Sequence, residues 1–377
     1  MAIRIMFISK YPPLQGGIAS RTYWLARGLA GMGNHVCVVS HNPSAASEYV
    51  GTAAGTSAES PSLRVYTNSD DVPWHIPNDP ERSLSLLDLA IQVADTDTID
   101  VVDSGYLVPY GIVGHLLKRS RSIPHVLRHG GSDLAKFLSP GRLPALLGDV
   151  LASADVVVTD AVHSELIRTW RPDARVQPSY VPSDEFNPRR TDADRPLRVA
   201  YVGKANFHWE FKQLGRVGAI MGALHHDITT TFMAQGNGLE SLRQALIQDN
   251  VTCVEWSTFQ HPALMPDFFA QTDAIFEMER SLPSPVFSNV VAEALCAGVG
   301  VVTDRMDLAT TYADMVIPDH EQILALPSNC SAQEAARRVE EWLRARGAGW
   351  RFSPQRRVAF DTYLRRNEQL YGEVLDR

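Results

Sequence analysis

At 377 residues the chain is long enough for two domains of ordinary size, because single hydrophobic cores stop growing at about 250–300 residues. Its 45% apolar and 21% charged residues are the composition of a globular enzyme, and a net charge of −8 speaks against nucleic-acid binding through bulk charge. Cys37, Cys253, Cys296 and Cys330 are scattered, with no CxxC pair and no Cys/His cluster at metal spacing, so neither a zinc site nor a disulfide framework is indicated and reduced thiols in a cytoplasmic protein are expected.

The apolar start, Ile3 to Ser9, is too short for the core of a signal peptide, and no run approaches the roughly 18–20 apolar residues that span a bilayer. Peripheral contact with a membrane stays open. Arg4 to Ser9 reads as a strand and Ile18 to Met32 as a helix, with Leu25 and Leu29 on one side. Between them stands Pro12-Pro13-Leu14-Gln15-Gly16-Gly17-Ile18. Two adjacent glycines at a helix start let the main chain approach a phosphate or sugar hydroxyl closely. Val36 to Ser40 reads as a strand, residues 42–61 as a mobile surface loop, and Asp100 to Asp103 as a further strand. Asp70-Asp71 and Asp95-Thr96-Asp97 are the runs to weigh as metal ligands; both read as helix-end or loop carboxylates, and no metal is expected. Leu107 to Arg119 reads as a helix in which His115 is structural, and His125 to Arg128 and Asp155 to Thr159 read as strands. His129-Gly130-Gly131-Ser132-Asp133 follows the first of these. As a neutral imidazole His129 can donate a hydrogen bond to a sugar hydroxyl, with Asp133 capping the next helix.

Ser183 to Pro196 is polar, bounded by prolines and without an apolar face, which makes it the best linker candidate. A second alternation follows it: strand Leu197 to Gly203, helix Gln213 to Leu224, strand Thr229 to Ala234, helix Leu239 to Gln248, strand Val251 to Glu255, helix Ala263 to Gln271 and strand Asp273 to Glu277. Lys204 and Lys212 stand in the loop after its first strand, where fixed cations can stabilise a departing diphosphate without a metal. Gly236-Asn237-Gly238 is a tight turn. The most informative stretch is Ser284 to Arg305, SPVFSNVVAEALCAGVGVVTDR. Ser288 and Asn289 can cap a helix, Glu293 falls in its first turns, Gly298 ends it and Val299 to Thr303 is a buried strand. A helix start presents N–H groups to an anion, and a carboxylate one turn further in can accept hydrogen bonds from a ribose diol. The C-terminal arginines, among them Arg337, Arg338 and Arg344, alternate with Glu334, Glu340 and Glu341 and read as a solvated helix face.

In this order the motifs resemble the retaining GT-B glycosyltransferases of the glycosyltransferase family 4 type, whose signature is Glu, seven residues, Glu, then Ala-x-x-x-Gly-x-x-Val-Val. Glu293, Ala294, Gly298, Val301 and Val302 fit that frame, while Pro285 stands where the first Glu belongs. The resemblance covers essentially the whole chain. It implies an α/β protein of GT-B fold, two Rossmann-like parallel-sheet domains facing across a cleft: an acceptor-side domain over residues 1–185, a linker over 186–196, a nucleotide-sugar domain over 197–354 and a C-terminal helix over 355–377 crossing back to the first domain. It implies transfer of a sugar from a nucleotide diphosphate donor to a small-molecule, glycan or lipid-linked acceptor, with retention and with neither metal nor cofactor. Lys212 and Lys204 then face the leaving group and His129 the sugar, while Gly16 and Gly17 face the donor phosphate and the acceptor. Gly203, Gly236 and the Phe287, Ser288, Asn289 and Val290 main chain line the donor site, and Glu293 holds the ribose. The departing phosphate helps take the acceptor proton, and no strong protein base stands out. Pro285 removes a side-chain acceptor from the sugar pocket, which Glu279 in the preceding loop can replace; a donor deoxygenated or altered at that position is expected. A catalytically weak homologue with a regulatory role and a nucleotide-sugar 2-epimerase are the alternatives.

Overall fold

The computed structural model describes residues 2–41, 61–68, 80–138, 141–205, 211–236, 238–248, 251, 254–278 and 287–377. The chain divides into two compact units, Met1–Val181 with Pro283–Phe287 and Ala359–Arg377, and Pro182–Leu282 with Ser288–Val358. The loop expected over residues 42–61 lies outside the described residues except at its last position.

The first unit alternates β1 (Arg4–Ile8), α1 (Gly17–Gly31), β2 (His35–Ser40), β3 (Leu63–Thr67), α2 (Pro80–Thr96), β4 (Val101–Ser104), α3 (Ile112–Arg121), β5 (His125–Arg128), α4 (Pro144–Ser153), β6 (Val156–Thr159), α5 (Ser164–Arg168) and β7 (Arg175–Val176). Its strands make one parallel sheet in the order β3-β2-β1-β4-β5-β6-β7. Every residue of β4, β5 and β6 is buried, as in a sheet covered on both faces, which is why these strands read as short apolar runs. In β3 only Leu63 is fully buried, so no pattern marks that strand in the sequence. The helix expected over Leu107–Arg119 is broken near its start. Val108, ahead of Pro109, is extended at φ −126°, because a residue before proline is driven out of the helical region, and α3 begins at Ile112.

The second unit runs β8 (Arg198–Lys204), α6 (Phe211–Ala223), β9 (Thr229–Gln235), α7 (Leu239–Gln248), β10 (Val254–Ser257), α8 (Met265–Ala270), β11 (Ala274–Phe276), α9 (Asn289–Cys296), β12 (Gly300–Thr303), α10 (Leu308–Thr311), β13 (Val316–Ile317), β14 (Ile323–Ala325), α11 (Ala332–Arg344) and β15 (Gln355–Arg356). Its parallel sheet has the order β10-β9-β8-β11-β12-β14, and β13 pairs with β15 in an antiparallel ribbon. Tyr201, Val217, Ile220, Phe232, Leu246 and Val339 belong to one core formed by the sheet with α6, α7 and α11. The polar stretch after Pro182 packs with this unit: Phe186 is fully buried, 6.0 Å from the Phe269 ring, and Arg195 binds Asp273 at 2.7 Å.

α12 (Phe360–Leu375) returns to the first unit. It starts five residues later than the sequence suggests, because Gln355 and Arg356 pair with Ile317 and Val316. No described helix is long and apolar enough to cross a membrane.

Candidate active site

In each sheet the strand order reverses beside the first strand, between β1 and β4 and between β8 and β11, and doubly wound sheets bind ligands beyond the strand ends at such a switch point. At the first unit's edge β1 runs into Gly16, φ 115°, and Gly17, which opens α1 with neither a side-chain cap nor an acidic residue in its first turn. Beside them Gln15 is 5% exposed, and neither atom of its amide has a hydrogen-bond partner among the described residues. One turn into α1, Arg21 is buried. Its Nη1 donates to the His129 carbonyl at 3.0 Å and its Nη2 to that of Gly105, and burial lowers its pKa. Asp133 precedes the helical turn Leu134–Leu138 and does more than cap it: its carboxylate accepts the N–H groups of Leu107 (2.8 Å), Gly130 (3.0 Å) and Leu134 (3.0 Å). Arg21 and Asp133 thus bind the loops after β4 and β5 to each other and to α1.

His129 lies within this knot. The Gly131 N–H donates to its Nδ1 at 3.2 Å, which places the ring proton on Nε2, 2.9 Å from Thr159 Oγ1. Burial pushes its pKa down to about 3, so the ring is neutral as the sequence reading requires. Its two nitrogens are engaged inside the first unit. To reach a sugar, Nε2–H must exchange the Thr159 hydroxyl for a sugar hydroxyl.

Two residues that the sequence reading did not single out stand next to it. Asp160 directly follows β6, and its Oδ1 accepts both the Nδ1–H (2.7 Å) and the main-chain N–H (2.9 Å) of His163. Burial opposes ionisation of Asp160, but the hydrogen bond from His163 and the nearby imidazoles hold its pKa below the usual carboxylate range. The His129 and His163 rings meet edge to face, 5.1 Å apart. His129, Asp160 and His163 are the one group among the described residues whose ligating atoms all come within 4.8 Å. The only sequence signal for the pair is a Asp-x-x-His spacing directly after an apolar strand. The Asp95-Thr96-Asp97 run is occupied otherwise: Asp95 binds Arg121 at 2.6 Å, and Asp97 accepts the Tyr66 hydroxyl at 2.7 Å.

Beneath these loops Arg128 and Asp103 form an ion pair at 2.8 Å, exposed by 3% and 0%. Tyr371 of α12 donates to Asp103 at 2.8 Å, and Arg128 donates to Asn367 at 2.6 Å.

At the second unit's edge Gly203 and the half-buried Lys204 end β8, and Gly236, φ 146°, follows β9. Ser288 occupies the N-cap position of α9 but makes no capping bond with its side chain, contrary to the sequence expectation. The Tyr312 hydroxyl instead holds its main chain, accepting from Ser288 N at 2.9 Å and donating to Ser288 O at 3.2 Å. Asn289 and Val290 are half-buried beside it, and Glu293, one turn further, is 2% exposed; Phe287, also half-buried, is counted with the first unit. Gly298 ends the helix at φ 69°, with its Cβ position only 2.5 Å from the Phe352 carbonyl, so no other residue fits. Glu277, 1% exposed just beyond β11, has Arg305 at 3.9 Å. Lys212 falls in α6 with its side chain outside the described residues, as are Asn237, Glu279 and Pro285.

Comparison with known proteins agrees with this architecture. Residues 16–179 match the glycosyl transferase 4-like domain. Sucrose-phosphate synthase from Thermosynechococcus elongatus superposes with a TM-score of 0.67 at 16% identity, covering 99% of each chain. HepE from Anabaena in complex with UDP-glucose gives 0.61 at 15% identity, over 90% of this chain and 89% of that one. A glycosyltransferase from Rickettsia africae gives 0.61 at 14% identity, over 99% of each. No protein of curated function matches the chain in sequence. The fold defines a GT-B protein with two Rossmann-like sheets. Its first unit carries a glycosyl transferase 4-like domain, matched over residues 16–179.

Proposed function

We propose that the chain transfers a sugar from a nucleoside diphosphate donor bound by the second unit to an acceptor hydroxyl presented at the sheet edge of the first. The observation that carries the donor half is the start of α9: a helix N-terminus without a side-chain cap at a sheet's ligand-binding edge, with the buried carboxylate of Glu293 one turn inside it. The N–H groups suit the diphosphate and Glu293 the ribose. Lys212 and Lys204 stabilise the leaving group in place of a metal, and Gly203 and Gly236 allow the donor close to the main chain. Gly16 and Gly17 serve the donor phosphate and the acceptor, a small molecule, glycan or lipid-linked sugar, and His129 meets the donor sugar. Retention of anomeric configuration belongs to the same reading, as does a donor altered at the position that Pro285 leaves without a carboxylate. UDP-glucose, the ligand named for HepE, is the first donor to try.

A panel of nucleotide sugars tests this by thermal shift. A donor present at about 100 times its Kd adds roughly 2.7 kcal/mol to the stability of the unit that holds it. Lys212→Ala should lose on the order of 3 kcal/mol of transition-state stabilisation, about a hundredfold in rate, with donor affinity little changed. Glu293→Gln should raise the Kd for free UDP about tenfold or more, measured by calorimetry. Wild-type turnover by the lysine variant removes Lys212 from the reaction, and unchanged UDP affinity removes Glu293 from the ribose.

A further inference from the structure

At the ligand edge of the second sheet, two side chains that the function proposed above does not use face each other across a gap. Glu277 directly follows β11 and is 1% exposed, and its main-chain N–H continues the ladder to the Val302 carbonyl at 2.9 Å. Side chains alternate along a strand, and Ala274, Phe276, Met278 and Val302 all belong to the core shared with α6, α7 and α11, so Glu277 points to the other face of the sheet. No described residue of α9 belongs to that core, and the helix packs beside β12. Arg305, 9% exposed, comes from the loop after β12. Its Nε and Nη2 donate to the Asp307 carboxylate at 3.1 and 3.0 Å, while its Nη1 makes no hydrogen bond among the described residues and stands 3.9 Å from Glu277 Oε1. Burial works against the charge of Arg305, but the hydrogen bond to Asp307 and the fields of Tyr312, Asp307 and Glu277 raise its pKa, so Nη1 is a permanent donor. Tyr312 is the residue whose hydroxyl holds Ser288 at the start of α9.

The gap is too long for a direct hydrogen bond, and it is the span across which one oxygen atom, about 2.8 Å from each side, accepts from the guanidinium and donates to the carboxylate. A hydroxyl does both. An anion would meet Glu277 and a cation would meet Arg305, so the group that fits is neutral. We propose that Glu277 and Arg305 together hold one hydroxyl of the donor sugar, Arg305 donating to its oxygen and Glu277 accepting its O–H. The proposal rests on the reading of the α9 start as the diphosphate site, from which the sugar hangs by its anomeric oxygen. A sugar without that hydroxyl leaves a buried carboxylate and a buried guanidinium without their bridge, which is how such a pair selects. The pair returns no carboxylate to the place of Pro285 in the sequence, so a donor altered there still keeps this one hydroxyl.

Calorimetry with UDP, UDP-glucose and the four monodeoxy forms of UDP-glucose tests this; should the thermal-shift panel favour another base, its hexose and monodeoxy forms replace them. One of the four deoxy donors should bind the wild-type chain about ten- to a hundredfold more weakly than the parent. Glu277→Gln should weaken the parent about tenfold, leave the bare nucleoside diphosphate unchanged and bind that one deoxy donor as well as it binds the parent. Arg305→Met should erase the same preference and no other. Wild-type selectivity in Glu277→Gln assigns the gap to a water alone and overturns the proposal. A loss shared equally by nucleotide and nucleotide sugar makes the pair structural and overturns it too, as does a wild type that binds the parent and all four deoxy forms alike. A wild-type chain that binds no nucleotide or nucleotide sugar of the panel instead overturns the donor reading, and the role of the pair with it.

Discussion

Arg21 carries a charge into the first unit and spends it on two carbonyl oxygens, those of Gly105 and His129, 84 and 108 residues away in the chain. A buried guanidinium loses hydration, and removing it leaves both carbonyls without their donor, at about 1–3 kcal/mol each. Arg21→Met should therefore destabilise the first unit by about 2–5 kcal/mol in urea, more than the isolated loss of a surface arginine. Residues of this kind explain why the candidate site was only half legible. His129 and Glu293 stand inside motifs, so their type and neighbours announced them. Arg21, Gln15 and the Asp160–His163 pair acquire meaning only from groups that folding brings to them, and a helix with one arginine on a buried face looks like any other helix. Ser288 shows the reverse case. Its sequence position promised a cap, but the main chain there is held by Tyr312, 24 residues on.

Among elements, the strands buried on both faces were readable to within a residue or two, because burial forces an apolar run and the flanking turns bound it. The partly exposed β3 was not. The charged face of α11 was read correctly as solvated: Arg337, Arg338 and Arg344 pair with Glu334, Glu341 and Asp227, at 2.5–2.9 Å. Ser331 caps that helix, accepting the Glu334 N–H at 3.2 Å, and Ser331→Ala should cost about 0.5–2 kcal/mol of second-unit stability. α12 is anchored differently, through a polar knot in a dry place. Tyr371→Phe keeps the ring and removes the donor to Asp103, which is fully buried and ionically paired. A loss of about 1.5–3 kcal/mol, confined to the first unit's unfolding transition, is the expected outcome. An unchanged transition would show that Arg128 alone satisfies Asp103.

For the whole molecule, two units imply two transitions, and acid should separate them. His125 and His129 both belong to the first unit, and burial pushes both pKa values down from 6.5 to about 3. Between those values the unfolded chain binds protons that the folded unit refuses. The stability these groups lend is complete above about pH 6.5 and is lost as pH falls towards 3. Each has a slope of at most about 1.4 kcal/mol per pH unit, so urea midpoints of the first unit should fall steeply between pH 6 and 4. His125→Gln should flatten that fall. Asp155 and Asp160, whose pKa values are lowered by Lys118 and His163 against the opposing effect of burial, lose their contribution only at still lower pH.

The return of α12 also orders events in time. A ribosome makes β1 to β7, then the entire second unit, and only then the helix whose Asn367 and Tyr371 bind Arg128 and Asp103 beneath the loop of His129. Until that moment the nascent first unit holds an ion pair open to water at the floor of its own ligand edge. Residues 1–181 expressed alone would be arrested at that stage. The first unit is therefore finished by the segment translated after the second, and it cannot be supplied as a contiguous fragment that ends before Ala359.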